Sequence, residues 1–415
     1  MSFVSQRWLI LIILNAVYFF VYFHRISTGV LAPYLIAEFQ ASGASLGAMS
    51  SAYFYPYALS QPVVGMLTDR FGPRKVIFIS IFIEFLGALI FAVAPSLLIA
   101  ALGRGFIGLG AAGVFVPALK LFIPWFGAQA FGRMNIILLA VGNVGAIVAS
   151  TPFAWVIRQI GWRTSFFIIA AILLLLTLLC RAGIQDTPPG YIPPSAEEKP
   201  ASPLAGGSFQ AIVRSPFFWV MAALFYAYGG PLSTFQGLWG YPYLIDVFGY
   251  DKLGAGNLIM MIACGVIVGG ALMAHLVDKT FARKKRHFLS AVLAVQVVNW
   301  FLIAFLSPRF GPWALGLIFF SMGMMMAGTL SVLWAIVREE APQEKLGTAL
   351  GLINPAPFLG VATLQPLTGY LMDQAGRVAG AFSPAAYRNA FALCMASMFV
   401  ALMISLVVLR RKNKG

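Results

Sequence analysis

The sequence predicts an all-α polytopic membrane protein: twelve transmembrane helices in two pseudo-symmetric six-helix bundles. Three observations carry this expectation. The chain of 415 residues is 60% hydrophobic and only 10% charged, with a mean hydropathy of +0.87, whereas a soluble domain carries about 25% charged residues. Its apolar stretches, at about 20 residues per crossing, suffice for about twelve spans and leave no room for a separate soluble domain. The second half of the chain also repeats the first.

The first apolar stretch, residues 8–34, follows Arg7 and has no small-residue cleavage site between Trp8 and Phe23, so it is expected to be a retained helix and not a removed leader. Polar breaks then separate stretches at 46–67, 76–95, 98–121, 134–156 and 164–182. The next segment contains DTPPGYIPPSAEEKPASPLAGG, whose Pro, Ser, Gly and charge cannot form a span. It is expected to be a linker, 183–214, between an N-terminal bundle, 1–182, and a C-terminal bundle, 215–415. The second set of stretches falls at 216–241, 254–277, 287–306, 313–336, 346–371 and 386–409.

The duplication is visible directly. At a shift of 209 residues APYLIAEF (32–39) falls on YPYLIDVF (241–248), Asp69 on Asp278, Arg70 on Lys279, Arg74 on Arg283 and Lys75 on Lys284. At a shift of 215, Gly108, Gly113 and Gly132 fall on Gly323, Gly328 and Gly347. A duplicated six-helix unit is the mark of parallel repeats in transporters, with a substrate site expected at the midplane between them.

The net charge of +15 is explained by the positive-inside rule and not by nucleic acid, because the basic residues flank apolar runs. Over this topology, 19 of the 28 Lys and Arg fall on the side of the N-terminus, 6 on the other, and Arg25, Arg104 and Lys120 within spans. Both termini and the linker are therefore expected in the cytoplasm, with the spans in a bacterial inner membrane. The three cysteines, Cys180, Cys264 and Cys394, lie in apolar runs and give no disulfide framework or metal cluster. Neither a phosphate-binding G-x-x-x-x-G-K-[ST] motif nor a His/Asp/Glu cluster points to an ATPase or another enzyme.

The segment GMLTDRFGPRK, 65–75, between the second and third stretches resembles at every specified position the signature loop of the major facilitator superfamily, G-x-L-x-D-R-x-G-x-R-K. RGFIGLGAAG, 104–113, is similar to that family's second motif, and Gly161, Trp162 and Arg163 form a further family-like turn; GNVGAIVASTP, 142–152, resembles the antiporter motif only loosely. The resemblance covers the whole chain. It implies the two-bundle fold, alternating access, and a signature loop that latches the outward-facing state through Asp69, Arg70 and Arg74, with Asp278 in the repeat. On the residues alone, Gly65 would permit close helix approach and Gly72 a tight turn.

An ionisable side chain inside a span costs at least about 2.5–3.5 kcal/mol on insertion scales, so each is a candidate functional group. Arg25 lies in YFFVYFHRISTGVLAPYL, which resembles the first helix of the organophosphate/phosphate antiporters and the anion/cation symporters. There the resemblance implies contact with an anionic substrate; the plain alternative is an Arg snorkelling to headgroups. Lys120 is similarly either a second substrate cation or an end-of-helix Lys. Arg104, with Glu84 as its expected partner, would couple conformation or protons, or else form a structural pair. The repeat sets Thr234 opposite Arg25 and supplies no second cation in the seventh span, whereas a phosphate ester wants two.

A singly charged or zwitterionic organic substrate is therefore expected, carried by proton symport or anion exchange, with efflux of drugs or hydrophobic compounds as the alternative. Tyr18, Tyr22, Tyr53, Tyr57, Gln61, Asn143, Phe235, Gln236, Trp239, Trp334 and Asn354 are the aromatic and neutral-polar candidates to line the site. The expected partners are that substrate, the bilayer and protons. No cofactor, metal or nucleic acid is expected, and the monomer is the expected working unit.

Overall fold

The computed structural model describes residues 3–191, 207–341, 346–378 and 380–407. Its helices follow the predicted stretches in order. They are α1 (Phe3–Phe39), α2 (Gly43–Ser51 and Phe54–Phe71), α3 (Pro73–Val93), α4 (Leu97–Ala112 and Phe115–Phe126), α5 (Ala128–Val148 and Thr151–Ile160) and α6 (Trp162–Gly183). The second set is α7 (Pro216–Thr234, the π-turn Phe235–Trp239, and Gly240–Phe248), α8 (Lys252–His275, extended by the π-turn Leu276–Thr280), α9 (Lys285–Phe301, extended by Leu302–Leu306), α10 (Pro312–Glu340), α11 (Leu346–Ile353 and Ala356–Ala375) and α12 (Pro384–Val407). A two-stranded turn, β1 (Arg377–Val378) with β2 (Ala381–Phe382), joins the last two.

The interruptions of α2, α4, α5 and α11 have a common cause. Proline lacks the N–H that would bond the carbonyl four residues earlier, and its ring crowds that carbonyl. Pro56, Pro117 and Pro152 thus open α2 at Ala52, α4 at Gly113 and α5 just after Val148, while Pro355 and Pro357 break α11 at Asn354. Glycines at positive φ (Gly72 at 83°, Gly127 at 82°, Gly161 at 77°) make the sharp turns between spans that other residues would resist. The helices run several residues past the predicted ends because these turns are so short. The predicted linker is partly helical, with Gly207–Val213 forming two turns; residues 192–206 of it lie outside the described residues.

Nine helices are long and apolar enough to cross a bilayer among the described residues. The other three spans, α2, α7 and α11, are interrupted, and all three lie at the seam. The halves meet through α1 against α7, α2 against α11, and α5 against α8.

That seam is tightest at the end opposite the termini, where backbone meets backbone. A methyl group on Gly369 would lie 2.0 Å from the Gly43 carbonyl oxygen, and one on Gly47 would lie 2.3 Å from that of Gln365. Asp373 of α11 accepts hydrogen bonds from the Gly43 and Ala44 amides at 2.6 and 2.8 Å, capping α2 from the other half. Arg377 donates to the Ala41 carbonyl at 2.5 Å, and Thr151 bonds Asn257 at 2.8 Å. Among the described residues, the hydrogen bonds that cross between the halves lie at this end or at mid-depth, where Asn354 donates to Gln61 at 3.2 Å.

Candidate functional site

The site is built on α1, where Arg25 sits beneath the interrupted part of α2. Its guanidinium carbon lies 4.7 Å from the Tyr22 ring, 4.7 Å from the Tyr57 ring and 5.0 Å from the Phe358 ring. A guanidinium over aromatic faces is stabilised by the ring quadrupole, the more so where water is displaced. Tyr57 in turn stacks on Tyr53 and touches Phe358, so three helices from both halves contribute one aromatic cage. Nε and Nη2 of Arg25 are buried without a hydrogen-bond partner, and no carboxylate is within ion-pair distance of it among the described residues. Arg25 therefore lies inside the bundle, facing the seam, and does not reach headgroups.

Tyr18 and Tyr22 continue the cage along α1, and α5 fits against them through Gly142, where a methyl group would lie 2.9 Å from the Tyr22 ring. Asn143, next to it, donates to the Leu139 carbonyl of its own helix at 2.9 Å. Gln61 and Asn354 close the cage on the side of the termini. Gln236 lies in the π-turn of α7, packed on Gly29 of α1. Trp334 of α10 packs on Phe225 of α7 at 4.5 Å.

Several sequence candidates have other duties. Lys120 is ion-paired to Asp69, which fixes it at the signature loop and away from Arg25. Phe235 is fully buried against Tyr243, Trp300, Phe319 and Phe391, in the core of the second half. Trp239 is fully buried and donates to the Thr368 hydroxyl at 2.9 Å. Tyr53 is also fully buried, its hydroxyl 3.3 Å from the Val21 carbonyl. Phe235 and Trp239 are packing residues because the apolar bodies that suggest a lining also fill a core, whereas Tyr53 backs the cage by stacking on Tyr57.

The expected Arg104–Glu84 pair is not formed either. Arg104 donates from Nη1 to the His24 carbonyl at 2.8 Å and lies over the Tyr53 ring at 4.8 Å. Glu84 instead faces His24, whose Nε2 is 3.9 Å from Oε1. All three side chains have 0% exposure. The imidazole is otherwise enclosed by Phe20, Phe23 and Phe166. This cluster directly adjoins the cage through Tyr53 and through the peptide bond between His24 and Arg25.

The signature loop is held within its own half. Besides the Asp69–Lys120 pair, the Arg74 amide bonds Asp186 at 2.7 Å and its guanidinium bonds the Arg181 carbonyl at 2.6 Å. Arg70 lies over Phe71 at 5.1 Å. Among the described residues nothing lies within 4 Å of a methyl group built on Gly65, so the close approach expected there is not made with any of them. The side chain of Asp278 lies outside the described residues.

Sequence reasoning missed Phe358, Asp373 and the pairing of His24. Phe358 carried no signal beyond being one of 36 phenylalanines. The only trace of Asp373 was a carboxylate at the end of an otherwise apolar span.

Helices meeting at a two-half seam around a buried, unneutralised cation define a multi-pass membrane carrier. The chain belongs to the major facilitator superfamily, whose family model matches residues 14–362. It is 27% identical over 392 residues to the probable sulfoacetate transporter SauU of Cupriavidus necator, covering 90% of this chain and 89% of that one. It is 23% identical over 421 residues to the probable galactarate/D-glucarate transporter GudP of Escherichia coli, covering 91% and 89%. Among solved structures, a bacterial homologue of the lysosomal transporter Spinster, inward-facing and occupied, superposes with a TM-score of 0.77 at 19% identity over 96% of each chain. The protein is thus a transporter and not an enzyme.

Proposed function

We propose that the protein is a secondary carrier that moves a small organic anion, carboxylate-type or zwitterionic, across a bacterial inner membrane by alternating access. One observation carries this reading: Arg25 presents buried, unpartnered N–H groups at the seam, with aromatic rings around it and, among the described residues, no carboxylate within ion-pair distance. A cation kept in low dielectric without a counter-ion is stabilised when an anion arrives, and the Arg fork matches a carboxylate's two oxygens. One such cation suits a singly charged group. The names of the relatives, a probable sulfoacetate transporter and a probable galactarate/D-glucarate transporter, support an organic anion, although those compounds carry two anionic groups each and so do not support the single charge.

With the termini in the cytoplasm, as the basic residues require, the shut end is periplasmic and the arrangement is inward-facing. The Asp69–Lys120 pair then belongs to the state in which the signature loop has let go of the other half. The His24–Glu84–Arg104 cluster is the candidate for proton coupling, since it holds titratable groups beside the anion site but out of the substrate's path.

The test is Arg25→Lys and Arg25→Ala in purified protein, screened by thermal shift against carboxylates, phosphate esters, amino acids and drugs, because a ligand raises stability by mass action. Arg25→Lys should weaken binding of the stabilising anion by about 1.5–3 kcal/mol, the range for hydrogen bonds to charged groups. Arg25→Ala should weaken it further while expression and unliganded melting stay near wild type. Normal transport by Arg25→Ala would overturn the reading.

A further inference from the structure

Helices from both halves converge on Gly237, in the middle of the α7 π-turn, and several polar groups around it have no partner. A methyl group built on Gly237 would lie 2.8 Å from the Arg25 carbonyl oxygen and 3.8 Å from Nε2 of Gln365; one built on Gly29 would lie 3.4 Å from the Gly237 carbonyl carbon. Gln365 of α11 has 0% exposure, and among the described residues neither its amide nitrogen nor its oxygen has a hydrogen-bond partner. The hydroxyls of Thr28, beside Gly29, and of Thr234, three residues before Gly237, are equally buried and unbonded.

Packing does not require this. A helical threonine normally turns its hydroxyl back to the carbonyl four residues earlier, and Thr68, Thr177, Thr329 and Thr368 all do so in this chain. Thr28 and Thr234 do not. Burying an amide without partners is unfavourable, and a leucine at 365 would avoid it. Phe358, seven residues earlier and so on the same face of α11, is the residue that completes the Arg25 cage. Gln365 therefore lies behind that cage, on the side that is shut here, where parting of the halves would open a cleft next to it.

We propose that Gln365, with the hydroxyls of Thr28 and Thr234, forms a second and uncharged substrate subsite, which binds the hydroxyl groups of a hydroxy acid whose carboxylate is on Arg25. It is engaged when the shut end opens and emptied as it closes. An amide and two hydroxyls offer both donors and acceptors, as a substrate hydroxyl does, whereas a second anionic group would want another cation. A site built for hydroxyls also rejects an analogue without them, since its own polar groups then stay unpaired. The proposal rests on the organic-anion reading and narrows it.

The test measures binding of D-gluconate and hexanoate, six-carbon monocarboxylates that differ in their hydroxyls, to the purified full chain by titration calorimetry. Wild type should bind D-gluconate at least tenfold more tightly than hexanoate. Gln365→Leu should bring the two within about threefold by weakening D-gluconate alone, and Thr234→Val should reduce the preference in the same direction. Equal weakening of both acids, preserved discrimination in both variants, or a wild type that does not prefer D-gluconate overturns the subsite. Arg25→Ala separates the two ideas: it should abolish binding of both acids, and unchanged binding there sinks the anion reading whatever Gln365 does.

Discussion

Arg25 and Lys120 looked alike as lone cations in apolar helices, and nothing in their sequence neighbourhoods separates them. What separates them is tertiary: rings from α1, α2 and α11 surround one, and the Asp69 carboxylate in the last turn of α2 takes the other. Lys120→Met should accordingly leave equilibrium anion binding within about threefold of wild type while slowing transport, because it frees Asp69 and not the substrate. Counterflow and binding measured on one preparation check this; loss of binding would return Lys120 to the site. Glu84 carries the converse expectation. In proteoliposomes Glu84→Gln should abolish accumulation driven by an imposed proton gradient and retain exchange of substrate across the membrane. Retained gradient-driven accumulation would place coupling elsewhere. The pairing of His24 leaves no mark in the sequence, because a lone histidine in an apolar helix is usually structural and its carboxylate partner is 60 positions away.

At the scale of elements, the positions and order of the spans were legible because hydropathy and the bilayer's thickness leave few alternatives. The interruptions were not read from the sequence, although those of α2, α4 and α5 each lie four residues before a proline. The contact of Asp373 with the α2 N-terminus was not, because a cap contributed from more than 300 residues away leaves no local pattern. An N-cap of this kind contributes about 0.5–2 kcal/mol, and here it acts only while the halves are together at that end. Asp373→Ala should therefore shift the equilibrium toward opening of that end, by about fivefold in population for a loss of about 1 kcal/mol. Spin labels on Gln40 and Arg388, exposed at that end of opposite halves, would report a larger share of long distances. An unchanged distance distribution would show that the cap has no part in the gate.

For the molecule as a whole, the duplication predicted the two-bundle plan, and the cross-seam contacts follow it: α2 meets α11 and α5 meets α8, which the repeat relates as equivalent pairs. Orientation rests on the basic residues alone. A cysteine at Thr187, exposed just beyond α6, in a cysteine-free background should resist impermeant maleimide added to intact cells and react in inside-out vesicles. Labelling from outside would invert the topology and with it the inward-facing assignment.

The three interrupted seam spans, α2, α7 and α11, have a consequence for how the chain is made. Their glycines, prolines and polar side chains serve the seam, and the same residues weaken each segment's partition from the translocation machinery into lipid, because every polar group left in hydrocarbon opposes insertion. None of the three should integrate well alone. Each lies between strongly apolar neighbours, α1 and α3, α6 and α8, α10 and α12, so its entry must wait for, or be held by, a helix made before or after it. Expressed singly in an insertion reporter, α2 should be released into the lumen in a large fraction of chains, and α1–α3 together should rescue it. The residues that let the halves move would then also oblige them to assemble in groups.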